Sequence, residues 1–138
     1  MEKRLIVKAF IRYKNKYLVL RKKKDIISEH EGLWEDSGGK INPDENPRLA
    51  LDREVKKETG LNYTFVKELP EWIPKIPGVD ALCRVYLLEA DSNNVVLSDE
   101  HTEFKWLSAK ELQQGKVDLI YKEKFLWYLN LILKEDKK

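Results

Sequence analysis

Apolar and polar residues alternate through residues 4–13 (RLIVKAFIRY) and 16–22 (KYLVLRK), which flank the short polar stretch KNK. Both segments are rich in β-branched and aromatic side chains, and this period-two pattern predicts two strands joined as a hairpin. Residues 21–32 (RKKKDIISEHEG) read as an exposed polar connection. Residues 33–47 (LWEDSGGKINPDENP) carry Gly38, Gly39, Pro43 and Pro47, which predicts mostly loop around a short strand at 33–35. A helix is expected over 47–60. Pro47 suits its first position, Asn46 can cap it, and Gly60 suits its end.

Two further strands follow at 63–69 (YTFVKEL) and 81–90 (ALCRVYLLEA). The intervening PEWIPKIPGVD, with three prolines, is expected to lack regular structure. Residues 103–108 (EFKWLS) read as another strand, and Ser108 with Glu111 forms a capping box for a short helix. From 119 to the C-terminus the spacing returns to that of a helix, with Ile120, Phe125, Tyr128, Leu129 and Ile132 near one face. Trp34, Trp106 and Trp127 read as core residues. Strands interrupted by one helix and closed by another predict an α/β protein, a helix–sheet–helix sandwich.

Composition narrows the classes. A chain of 138 residues, 42% hydrophobic, suits one domain spanning 1–138. Lysine and arginine (26) nearly balance aspartate and glutamate (24), so no basic excess points to nucleic acid or a membrane surface. Cys83 stands alone, which excludes an internal disulfide and a cysteine-based zinc site. The N-terminus has no apolar run of signal-peptide length, and no stretch approaches the ~20 apolar residues of a membrane span. A cytoplasmic location is the expectation.

On the helix at 47–60, Glu54 and Glu58 lie one turn apart, within roughly 40° of each other. Leu51 and Val55 flank them on one side and Ala50 on the other, which sets both acids at the margin of the apolar stripe. Leu49 falls on the far side and predicts that the helix is covered on both faces. The helix alone leaves two accounts open. The acids pair with Arg53, Lys56 and Lys57 on a solvated face, or their oxygens converge on a hard cation such as Mg²⁺ or Mn²⁺.

The preceding segment bears on that choice. Gly39 is followed after five residues by Glu45, after seven more by Arg53-Glu54-Val55, then by Lys57-Glu58 and Gly60-Leu61. This resembles the Nudix box of the Nudix hydrolases. Every fixed position matches except Lys57, which stands where the family has the first of two adjacent glutamates. GLWEDSGGK before the box is similar to the family's entry to it, with Ser37 in place of the usual proline, which predicts a less rigid loop.

The resemblance implies a Nudix-like α/β/α sandwich with a mixed β-sheet. It implies Mg²⁺- or Mn²⁺-dependent hydrolysis of a diphosphate linkage in a nucleotide or nucleoside diphosphate derivative. Glu54 and Glu58 would be ligands and Gly38 would lend a carbonyl. Glu100, from SDEHTEFKWLSAKEL, would add an acid, with Glu103 as runner-up. Glu54 or Glu100 would act on the attacking water. Gly39, Gly60 and the ion pair of Glu45 with Arg53 would be structural. Arg21 and Lys57 are candidates for phosphate contacts and Trp72 for stacking on a base. His30 and His101 lack metal-ligand spacing and are expected at the surface or behind the ligands. A degenerate Nudix domain that binds a nucleotide without turnover is the alternative. The isopentenyl diphosphate isomerase branch would need further motifs not found here. Partners are expected to be small molecules, with the chain a monomer or homodimer.

Overall fold

The computed structural model describes residues 1–23 and 32–137. In chain order the elements are β1 (Glu2–Tyr13), β2 (Lys16–Lys22), β3 (Trp34–Glu35), β4 (Ser37–Lys40), α1 (Pro47–Thr59), β5 (Tyr63–Trp72), β6 (Val79–Ala90), β7 (His101–Ser108), α2 (Ala109–Gln113) and α3 (Lys122–Asp136). The sheet runs β3-β2-β1-β6-β5, with β4 added to β1 and β7 to β2. β1 and β6 are parallel and the other pairs antiparallel, so the sheet is mixed.

The hairpin closes as its sequence requires. Lys14 and Asn15 both have positive φ (48° and 63°), the geometry of a two-residue turn matched to strand twist. β1 then shares one edge between two partners. β2 pairs with its end at Arg12–Tyr13, and β4 pairs with Ile6–Ala9. Gly38 and Gly39 are therefore in a strand and not in the expected loop. A Cβ on Gly38 would lie 2.1 Å from the Val7 carbonyl oxygen, so only glycine admits this approach.

Alternation along the strands fills a core on each face. Val7, Ala9 and Ile11 of β1 pack with Ala50, Leu51 and Val55 of α1. Phe10 packs on the opposite face with Phe125, Tyr128, Leu129 and Ile132 of α3. That arrangement is the expected α/β/α sandwich.

Several expectations are corrected. β5 continues through Pro70 to Trp72, which is tolerated because β5 is an edge strand and shifts register between Leu69 and Trp72. β6 likewise begins at Val79. α3 begins at Lys122, since Tyr121 is left-handed (φ 51°) and Ile120 is buried ahead of the helix. Leu49 is 65% exposed, so α1 is covered on one face only. Trp127 is 45% exposed beneath the Lys124 ammonium, outside the core. The connection expected at 21–32 falls largely outside the described residues, and His30 lies within that part. No helix among the described residues is long and apolar enough to cross a membrane.

Candidate active site

α1 is well terminated. Asn46 accepts a hydrogen bond from the Arg48 amide at 2.8 Å, and Gly60 closes the helix in the left-handed conformation. Against β4 and β1, the helix turns both of its candidate acids inward. Glu54 and Glu58 are buried, Glu58 to 2% exposure. They are therefore not members of a solvated charge run.

Glu58 is held by neutral donors. Ser37 Oγ donates to its Oε1 at 2.7 Å and the Gly38 amide donates to the same oxygen at 2.9 Å. Burial pushes the Glu58 carboxyl up to about 7 despite those two bonds. Ser37 is itself buried and paired with Ala9, so the residue expected to loosen a loop is fixed in a strand. Its hydroxyl supplies a donor that a proline lacks. Gly38 meets the site through its amide.

Glu54 lies under Gly39, where an added Cβ would come within 2.5 Å of the Glu54 carboxyl carbon. Its Oε1 is 2.5 Å from Arg53 Nη1. The same guanidinium grips Glu45 with two bonds, at 2.8 and 2.9 Å, and also donates to the Lys40 carbonyl. Glu45 further accepts the Asn42 amide. Arg53 and that amide hold the Glu45 carboxyl down to about 2.

The turn just before β7 brings the third acid, Glu100. Glu58, Glu100 and His101 each offer one ligating atom, and the three atoms lie within 4.8 Å of one another. Glu54 is outside this trio. Glu103 points to Arg21 instead, at 2.7 Å, and the pair is exposed. Arg21 thus has a carboxylate partner, and among the described residues no hydrogen bond or ion pair joins it to the trio. Glu100 Oε1 is 2.8 Å from Lys57 Nζ, and that bond lowers the Glu100 carboxyl from its usual range.

His101 is buried to 5% exposure and sets Nε2 2.9 Å from Glu35 Oε2. A chain of charges continues inward, with Lys8 Nζ 3.3 Å from Glu35 Oε1 and 3.0 Å from Asp36 Oδ1. Burial opposes ionisation of Glu35, but Lys8 and His101 outweigh it and hold the carboxyl near about 2. Burial raises Asp36, and Lys8 only partly offsets that. Lys8, Glu35 and Asp36 line a cavity of about 490 Å³ that also includes Trp72, Tyr121, Phe125 and Tyr128. Trp72 meets Tyr121 edge-on, with ring centroids 5.3 Å apart.

Lys8, Glu35 and Asp36 were not singled out by sequence reasoning. One signal was present, since Lys8 interrupts the apolar run of β1 on the face that carries Phe10.

A NUDIX domain model matches residues 2–128. The chain is 31% identical over 113 residues to a CTP pyrophosphohydrolase of Escherichia coli (strain K12), covering 79% of this chain and 78% of that protein. Among solved structures it is similar to a MutT protein from Methanosarcina mazei Go1, with TM-score 0.82 and 27% identity over 99% of this chain and 97% of the other. The E. coli ORF135 protein gives TM-score 0.70 and 26% identity, covering 97% and 92%. With the family model matching nearly the whole chain, and with the glutamate-bearing helix seated on its glycine strand, the protein belongs to the Nudix hydrolase family.

Proposed function

We propose that the protein hydrolyses a diphosphate linkage in a nucleotide, a nucleoside triphosphate first, with Mg²⁺ or Mn²⁺ held at Glu58 and Glu100 and with Glu54 beside them. The observation that carries this reading is the convergence of Glu58, Glu100 and His101 at one point of the fold. The donors suit a divalent ion. Two are carboxylates, and the buried imidazole has a ring nitrogen, Nδ1, with no hydrogen-bond partner among the described residues. A divalent ion held by these residues would supply charge neutralisation at the phosphoryl oxygens and a lowered pKa for the attacking water.

The chain's own residues divide the remaining work. Ser37 and Gly38 aim the Glu58 carboxylate. Arg53 fixes Glu54 and ties α1 to the loop at Glu45. Glu100, half exposed and kept ionised by Lys57, is the better placed acid to accept a proton from water. Lys57 is within reach of a phosphate bound at Glu100, as a point charge. The 490 Å³ cavity is of nucleoside-binding size, and Trp72 offers it an aromatic face.

One observation favours the alternative, a domain that binds a nucleotide without turnover. The Lys57–Glu100 pair occupies a carboxylate that a metal would need. A screen of nucleoside triphosphates, nucleotide sugars, dinucleoside polyphosphates and ADP-ribose with Mg²⁺ or Mn²⁺, scored for phosphate or pyrophosphate release, separates the two. Hydrolysis that disappears in Glu58→Gln supports the enzyme. Saturable nucleotide binding with no product in any mixture supports the binder.

A further inference from the structure

His101 is more deeply placed than a supporting surface residue. Its side chain is 1% exposed, and its two ring nitrogens have different surroundings. Nε2 faces the Glu35 carboxylate at 2.9 Å, whereas Nδ1 is buried and has no hydrogen-bond partner among the described residues. An orphaned buried nitrogen is unfavourable unless something outside the protein chain satisfies it. A ring nitrogen of the same residue lies within 4.8 Å of ligating oxygens on both Glu58 and Glu100.

The Glu35 contact decides which nitrogen is available. With the proton on Nε2 donated to Glu35, Nδ1 presents its lone pair. A carboxylate behind an imidazole is the arrangement that fixes the tautomer and ring orientation of a metal-binding histidine. Glu35 is fixed in turn by Lys8, which Asp36 also holds. Burial of this charged chain makes sense if its end must be rigid.

We propose that His101 Nδ1 is a metal ligand alongside Glu58 and Glu100, and that this mixed nitrogen–oxygen site takes a transition-series divalent ion such as Mn²⁺ or Co²⁺ in preference to Mg²⁺. The inference rests on the metal-dependent reading above. Mg²⁺ favours an all-oxygen octahedral shell, whereas imidazole raises affinity for the later ions. Glu35 then acts as a positioning residue.

Electron spin-echo spectroscopy of the Mn²⁺-loaded protein tests this without reference to activity. The expected result is nitrogen modulation that changes frequency when the protein is labelled with [¹⁵N]histidine. The chain has two histidines, so the signal must persist in His30→Gln and vanish in His101→Ala. Should His101→Ala fail to fold, the labelled His30→Gln protein still assigns the nitrogen. In competition titrations, His101→Glu is expected to narrow the preference for Mn²⁺ over Mg²⁺ by about tenfold or more. Mn²⁺ that binds, is lost in Glu58→Gln, and shows no nitrogen coupling overturns the role of His101 and leaves the carboxylate site standing. If Glu58→Gln leaves Mn²⁺ binding unchanged, the metal site itself is misplaced and this inference falls with it.

Discussion

Lys57 Nζ stands 2.8 Å from Glu100 Oε1, so the residue that departs from the Nudix box is paired with the acid in the turn just before β7. Lys57 stands at the position where the Nudix box pattern has a glutamate, and its ammonium lowers the Glu100 carboxyl from its usual range. It would also repel a cation bound beside Glu58, with an energy reduced by solvent because the lysine is half exposed. Lys57→Glu reverses the sign of that interaction. The variant is expected to reach half-maximal activity at a metal concentration lower by about tenfold or more. Activity that drops while the metal dependence stays fixed would show instead that Lys57 contacts the substrate phosphate.

Glu58→Gln tests the centre of the site. The amide oxygen still accepts from Ser37 and Gly38, so folding should change little. The charge that would hold the proposed cation is gone, and turnover should fall by about 10²-fold or more. A variant that keeps most of its activity would locate the metal elsewhere.

The strands and α1 were legible because each carries its own local code. The hairpin has its period-two runs, and α1 has Asn46, Pro47 and Gly60 at its limits. β4 was not legible, because Ser37, Gly38 and Gly39 look like a loop until Val7 is set beside them. β5 was truncated for the opposite reason. Pro70 argues against a strand unless one knows that the strand lies at a sheet edge. In the site, the helix acids and Glu100 could be named from spacing and resemblance, whereas His101, Glu35 and Lys8 could not. They are brought together by pairings across β1, β2, β3 and β7, and such long-range register leaves no periodic mark.

Ser37→Ala removes a buried donor to Glu58 and adds nothing in its place. The carboxylate retains the Gly38 amide, so the loss is partial. Stability is expected to fall by about 1 kcal/mol, visible as a lower Tm in the metal-free protein. Ser92→Ala, which removes a half-buried hydroxyl that accepts only the Asn94 amide at 3.3 Å, should leave Tm nearly unchanged. If Ser37→Ala is equally silent, the hydroxyl bond does not hold α1 to β4.

Glu45 and Arg53 give a prediction with a defined pH window. Arg53, bonded twice to Glu45, is the chief reason that the Glu45 carboxyl sits near about 2, below its ordinary 4.5. A depressed carboxylate pKa stabilises the folded state above the unfolded value, and that contribution disappears as pH falls through the folded one. The Tm difference between wild type and Glu45→Gln should therefore be full at pH 6, shrink below about 4.5 and close near about 2. Arg53→Ala should lower Tm more than Glu45→Gln, because it also frees Glu54 and the Lys40 carbonyl. Its effect on kcat/KM should be indirect and smaller at low temperature, where the loop is held by its remaining contacts. Unchanged Tm with a collapse of substrate affinity would make Arg53 a phosphate ligand instead of the clamp between loop and helix.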